Sequence, residues 1–479
     1  MTATHTSRPG PSSPTPLPND ASVLVVGAGL AGLRTAALLR EHGHAGPVHL
    51  VGDEPHAPYD RPPLSKHLLD DGWHVDLGAD LDIDLDALDV DVRLATRVTR
   101  IDVDGDRFRA ELVPTDRVDG TTDRPETGSS GEVVVDEVSV DAVVLATGSR
   151  ARTVVGWEHA LTLHTHDDAV RLRELLGARE RPRLVCIGAG WIGSEVAGVV
   201  AAAGADVTVV EAAPYPLASA LGEDGALVAP WFAAAGVTLL LDTQVAAVEA
   251  DSVVLDDGRR IDADVVLAAV GARPAPVPDG TLADLLATAF DGDVVVDGAM
   301  RPLTRGVEAA GVTVPTYLPT TSGPLARVRV VGDAAARAAR CGFVRGGHWD
   351  AALTTPELAV RSLLDPAADL ADPAPYVFST MLGHEVAMYG TRPPAARPVL
   401  RGDPAGDDGW AALWFVDGTE PSDADAGASS ARDDGLRTLA GILVVDRPRD
   451  AAAARRLFRA TPRPRLDPTR AADPSVPLR

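Results

Sequence analysis

Two stretches of this chain repeat one pattern of apolar and polar positions. The first opens with a β-branched apolar run at residues 22–27, breaks at Gly27-Ala28-Gly29, and resumes as LRTAALLREHG, with apolar residues recurring at helical spacing until Gly43. This predicts a strand, a glycine turn and a helix, and VHLVGDE supplies the next strand. The result is a βαβ unit of about 30 residues. Residues 183–212, RLVCIGAGWIGSEVAGVVAAAGADVTVVEA, repeat the grammar element by element. Two dinucleotide-binding folds are therefore expected on one chain.

Strand-rich segments lie between and after them: DVRLATRVTRIDVDGDRFRAEL, VSVDAVVLATGSR and VAAVEADSVVLDDGRRIDADVVLAAVGARP. Alternating apolar and polar positions, with the hairpin dipeptide Asp257-Gly258, predict antiparallel β in these segments. Residues 114–132, 306–325 and 418–435 read as irregular loops, and residues 366–375 (PAADLADPAP) as a linker into a last domain with strands near WAALWFV and TLAGILVV. The predicted class is α/β: two Rossmann-like domains with inserted antiparallel β, then an α+β C-terminal domain. The expected boundaries are a disordered arm at 1–20, a first dinucleotide domain at 21–156, a second at 157–270, a return to the first at 271–366, and the last domain at 375–479.

Composition narrows the possibilities. A length of 479 residues predicts about three domains. No apolar run reaches the roughly 18 residues that cross a bilayer, and the Pro/Ser/Thr-rich start has no apolar signal region, so no membrane insertion and a cytoplasmic location are expected. A formal charge of −25 argues against nucleic acid as a partner, although Arg447, Arg449, Arg455, Arg456, Arg459, Arg463 and Arg465 make the C-terminal stretch locally basic. The two cysteines, Cys186 and Cys341, are far apart and in no metal or redox spacing, so no thiol chemistry and no metal site are assigned.

The glycine turns carry the chemistry. In GxGxxG the first glycine permits the tight turn, the second lets a pyrophosphate approach the backbone, and the third lets helix pack on strand. Gly27, Gly29 and Gly32 fill these places in the first unit, with Leu30 and Ala31 between them and Asp53 closing the second strand as ribose acceptor. Gly188, Gly190 and Gly193, with Trp191 and Ile192, fill them in the second, closed by Glu211. A carboxylate there accepts both hydroxyls of an adenosine ribose and repels a 2′-phosphate, and EAAPYPL offers no basic residue. NADH is therefore expected over NADPH. Two such sites suggest FAD in the first unit and NAD(H) in the second.

Together these residues resemble the FAD-dependent pyridine nucleotide-disulfide oxidoreductase superfamily, within it the ferredoxin, putidaredoxin and rubredoxin reductases. The resemblance covers nearly the whole chain after residue 20, and its sharpest part is PYDRPPLSKHLL at residues 58–69. It implies that Arg61 contacts FAD, that Lys66 lies beside the flavin, and that Glu195 in GWIGSE pairs with Lys66. It further implies FAD contacts from Val98, from Ala146, Thr147, Gly148 and Arg152 in LATGSRAR, from Gly332 and Asp333 in VRVVGDAAA, and from His348 and Trp349 in RGGHWDAAL. Gly271 in VAAVGARP is implied near NAD. The final hundred residues resemble the reductases' dimerisation-type domain, leaving monomer or homodimer open.

The sequence departs from the family at Gly347, Thr355 and Pro356, and over the segment where the family's Trp-Ser-Asp-Gln becomes Phe378, Ser379, Thr380 and Met381. Lacking paired redox cysteines, the chain has no internal disulfide to receive electrons, and Ser65 offers no thiol of the kind coenzyme A disulfide reductases use. The expected activity is hydride transfer from NADH to FAD with Lys66 and Glu195 tuning the site, then single electrons to a ferredoxin or rubredoxin that feeds an oxygenase or cytochrome P450. An NADH oxidase, or a quinone or small-molecule reductase, without a protein partner is one alternative. A slow FAD/NADH-binding redox sensor resembling apoptosis-inducing factor is another.

Overall fold

The computed structural model describes residues 15–117, 135–304, 318–319, 323–416, 435–461 and 463–479. The chain divides into two compact units. One comprises Met1–Asp60, Asp76–Ser149 and Arg273–Ala371, the other Arg61–Val75, Arg150–Ala272 and Asp372–Arg479.

The first unit is organised by a five-stranded parallel sheet in the order Val328–Val330, Ala142–Leu145, Val23–Val26, Val48–Val51, Asp91–Arg93. Val23–Val26 and Ala142–Leu145 are buried on both faces, which explains why they are continuous apolar runs rather than alternating ones. The helix Leu30–Glu41 follows the first strand, and Gly43, at φ 82°, takes the left-handed conformation just beyond its end. An antiparallel sheet of Thr96–Asp104, Arg107–Pro114 and Asp136–Val140 is inserted. The Trp349–Leu364 helix completes the unit.

The second unit holds a four-stranded parallel sheet in the order Thr238–Leu240, Asp206–Val210, Arg183–Ile187, Val265–Ala268, with the helix Trp191–Ala202 after its first strand. An antiparallel meander, Val245–Val248, Ser252–Leu255 and Arg260–Asp262, is inserted here too. The C-terminal part forms its own six-stranded antiparallel sheet, backed by the strongly amphipathic helix Pro448–Ala460. Arg401, buried, ties the chain's end to this sheet by donating to Asp450 and to the carbonyls of Ala471, Asp473 and Val476.

Several expectations are corrected. Asp91–Arg93, AVVL at 142–145 and VVLA at 265–268 are parallel strands, not antiparallel ones; antiparallel pairing holds for 96–114, 136–140 and the 245–262 meander. Residues 15–20 are not an arm: Leu17 is buried and its amide donates to the Leu363 carbonyl, while the Asn19 carbonyl accepts from Ala45 and Gly46. Arg61–Val75 groups with the second unit because its bonds run there, from Arg61 to the His164 carbonyl and from Arg173 to the Leu68 carbonyl. The compact units meet in sequence at 149/150 and 272/273, beside the expected domain boundaries at 156/157 and 270/271. Residues 1–14 of the arm, and most of the loops at 114–132, 306–325 and 418–435, lie outside the described residues. No described helix is long and apolar enough to cross a membrane.

Candidate functional site

Both glycine turns are built alike. In the first, Gly27 has φ 110° and lies so close to the crossing strand that a Cβ would stand 2.2 Å from the Ala146 carbonyl oxygen, while one on Gly32 would stand 1.8 Å from that of Gly27. In the second, Gly188 has φ 105° and a Cβ there would be 2.5 Å from the Ala269 oxygen, one on Gly193 2.0 Å from the Gly188 oxygen. The middle glycines differ: at Gly29 and Gly190 a Cβ would meet nothing within 4 Å. Their φ values, −78° and −76°, are open to any residue, so neither fold nor backbone demands glycine there. Space at the middle position is what a closely approaching pyrophosphate needs.

The helix ends agree. Neither Leu30–Glu41 nor Trp191–Ala202 has a side-chain cap or an acid in its first turn. The His166–Gly177 helix of the same chain carries a full capping box from Thr165 and Asp168. Uncapped N-termini keep their first amides for an anion, and the helix dipole favours one. Thr147 Oγ1, beside the first turn, and Ser194 Oγ, on the second helix, are buried without a hydrogen-bond partner among the described residues. The residues present thus fit two dinucleotides.

On the first unit, Asp53 takes Arg97 Nη2 at 3.1 Å, and the neighbouring Glu54 accepts the Tyr59 hydroxyl at 2.6 Å. Val98 is a core residue at a β-bulge, so only its backbone can face a ligand. Asp333 is held at both oxygens, by Ser149 Oγ and by the Gly347 amide, each at 2.8 Å. Gly347 therefore departs from the family for a backbone reason: its φ of 108° strains any side chain. Thr355 is equally specific, accepting the Gly332 amide at 2.9 Å and donating to the Ala351 carbonyl at 2.6 Å. This hydroxyl braces the turn bearing Asp333 beside Pro356, which lies inside the helix and has no amide to donate to the preceding turn. His348 has its imidazole pKa lowered by burial, against an opposing pull from the Asp333 charge. Trp349, half-exposed, donates its indole N–H to Asp60 at 2.8 Å.

On the second unit, Glu195 lies one turn into its helix, 3% exposed. Lys66 Nζ and Ser379 Oγ both reach its Oε1 at 2.5 Å, and Ser65 Oγ reaches Oε2 at 2.5 Å. One buried carboxylate with three charge-assisted donors is a fixed geometry, and Lys66 keeps further N–H donors beyond it. Lys66 is also the only lysine in a chain with 44 basic residues. Glu211 accepts the Ala189 amide at 2.7 Å and the Ala213 amide at 2.8 Å, placing its carboxylate on the glycine turn itself. The Arg152 amide donates to the Gly271 carbonyl at 2.9 Å. Arg61, Lys66 and Arg152 thus share a unit with the second glycine turn rather than the first. Sequence reasoning gave no role to Ser379 and Thr355, marking them only within segments that depart from the family pattern, nor to Ser149 and Asp60. The only signal was that Ser379 keeps the serine of the family's Trp-Ser-Asp-Gln.

Cys186 is fully buried, its thiol pushed up to about 12 by burial and the nearby Glu211 carboxylate, and neither cysteine forms a disulfide. Residues 21–325 match the family model for pyridine nucleotide-disulphide oxidoreductase. The chain belongs to this family. Among its relatives is the ferredoxin reductase component of chlorobenzene dioxygenase from Cupriavidus sp. (strain PS12), 32% identical over 95% of this chain and 96% of the relative. Rhodocoxin reductase from Rhodococcus erythropolis is 30% identical over 96% and 93%. In the crystal structure of the covalent putidaredoxin reductase–putidaredoxin complex, the matching chain superposes with a TM-score of 0.73 at 25% identity, over 96% of this chain and 97% of that one. Within the family, the chain is of the ferredoxin-reductase-like group.

Proposed function

We propose that the chain is an NADH-dependent, FAD-containing reductase that passes single electrons to a ferredoxin- or rubredoxin-type iron-sulfur protein serving an oxygenase or cytochrome P450. FAD belongs to the first unit, on Gly27–Gly32 with Thr147, Gly148 and Asp333, and NADH to the second, on Gly188–Gly193 with Glu211. The observation that carries the reading is the pair of uncapped, glycine-turned helices with open space at Gly29 and Gly190. The relatives named as ferredoxin and rhodocoxin reductases support the choice of acceptor.

The flavin, when bound, supplies the change from two-electron to one-electron chemistry. The chain's own residues bind and orient. The two helix N-termini hold pyrophosphates, Glu211 selects an unphosphorylated ribose, and Lys66 presents a positive charge whose position Glu195, Ser65 and Ser379 fix. No cysteine takes part. The C-terminal sheet contributes Ser379 and so belongs to the electron-transfer apparatus. Cytoplasmic residence is the compartment this reading needs, because NADH is the electron source. Steady-state reduction of cytochrome c tests the acceptor: it should be rapid only when a ferredoxin is added, and equal rates without one contradict the reading.

A further inference from the structure

Ala189, between the first two glycines of the second turn, is held at both its backbone groups. Its amide donates to Glu211, and its carbonyl accepts the Leu217 amide at 2.9 Å. Leu217 makes this bond from a left-handed conformation, φ 52° and ψ 26°, while 2% exposed. Such a backbone costs a non-glycine residue about 1 kcal/mol or more and persists only where the surroundings enforce it.

The enforcement comes from the C-terminal sheet. After Leu217 the chain makes one helical turn to Gly222, whose φ of 56° and missing Cβ let the Arg392 guanidinium pass; a Cβ there would be 2.7 Å from Arg392 Nη1. Arg392 Nε donates to Asp224 at 2.6 Å, and the fully buried Trp414 donates its indole N–H to the same Asp224 oxygen at 2.9 Å. Gly225 then packs back on Pro216, its Cβ position 2.0 Å from the Pro216 oxygen, which seats the residue before Leu217. Carboxylate, indole, guanidinium and two glycines leave the 215–225 segment a single arrangement.

We propose that Asp224 is a positioning residue for the nicotinamide dinucleotide: anchored to Trp414 and Arg392, it holds Leu217 on Ala189 and so shapes the adenosine side of that site. This rests on the reading that NADH occupies the second unit. The C-terminal sheet thereby sets affinity for the reductant, a role separate from Ser379's contact with Glu195.

The test uses the FAD-loaded full chain and its Asp224→Asn and Trp414→Phe variants, the latter losing the indole N–H together with part of the ring. Calorimetric Kd for ADP-ribose and NAD+ is read beside KM and kcat for NADH with ferricyanide as acceptor. Expected are a Kd and KM raised about tenfold in Asp224→Asn and three- to fivefold in Trp414→Phe, with kcat changed less than threefold and the flavin spectrum constant. Asp450→Asn, which breaks the Arg401 anchor elsewhere in the same domain, should lower Tm and leave the ADP-ribose Kd within twofold. The proposal is overturned if both test variants bind ADP-ribose within twofold of the parent, or if Asp450→Asn weakens binding as much. If the parent itself binds neither ADP-ribose nor NAD+, it is the placement of NADH that fails.

Discussion

Glu195 shows what the residue scale decides. A buried carboxylate is costly unless its lone pairs are used, and here Lys66, Ser65 and Ser379 use them. Removing the ammonium leaves the charge with hydroxyls alone, so Lys66→Met should cost about 3 kcal/mol, the lower end for a broken buried pair, and slow flavin reduction by NADH about 100-fold. Lys66→Arg should not rescue the rate, because a planar fork replaces a compact point charge in a shell already filled by two serines. Denaturant titration and stopped-flow absorbance check both. In the first unit, burial lowers the pKa of His44 below the usual histidine value. A folded pKa below the unfolded value of about 6.5 means that the unfolded chain binds the proton more readily, so this contribution is present above that pH and is lost as pH falls through and below it. Tm should therefore drop between about pH 7 and 5, with a shallower acid limb in His44→Leu. Lys66 and Glu195 were legible through a resemblance to short motifs. Ser379, 184 residues from Glu195, was not, because hydroxyl donors carry no spacing signature.

At the scale of elements, the turn–helix units were legible because each glycine answers a steric demand that period and spacing expose. The structure separates those demands. Gly190→Ala should fold with an unchanged Tm and lose NAD+ affinity, since its Cβ enters open space; Gly193→Ala should cost about 1–3 kcal/mol, since its Cβ meets the Gly188 oxygen. Thermal melts alongside NAD+ titration distinguish the two. Parallel pairing of residues 142–145 and 265–268 was not legible, because strands of four residues with flanking alternation look the same whether neighbours run with or against them. The placement of Arg61–Val75 was equally hidden, since nothing local in RPPLSK says which unit its donors will find.

At the scale of the molecule, neither cysteine forms a disulfide and the thiol of buried Cys186 is pushed up to about 12, so no internal disulfide receives electrons and Cys186 offers no thiolate. Iodoacetamide treatment should leave NADH-to-ferricyanide turnover unchanged, and strong inhibition would point to a thiol route. A charge of −25 makes long-range attraction to an acidic carrier protein weak, so added salt should not lower the rate of ferredoxin reduction steeply. A steep fall would mean that a local basic surface governs the encounter. Composition made this balance legible, whereas the acceptor followed only from motifs and relatives.

The most direct measurement of the central claim is anaerobic stopped-flow reduction of the FAD-loaded protein by NADH and by NADPH, followed by mixing with an oxidised [2Fe-2S] ferredoxin. Expected are rapid bleaching of the flavin band by NADH, far slower bleaching by NADPH because Glu211 meets the 2′-phosphate, and recovery of the band as the ferredoxin is reduced. Equal bleaching by both nucleotides, or a reduced flavin that persists with the ferredoxin present, would contradict the claim.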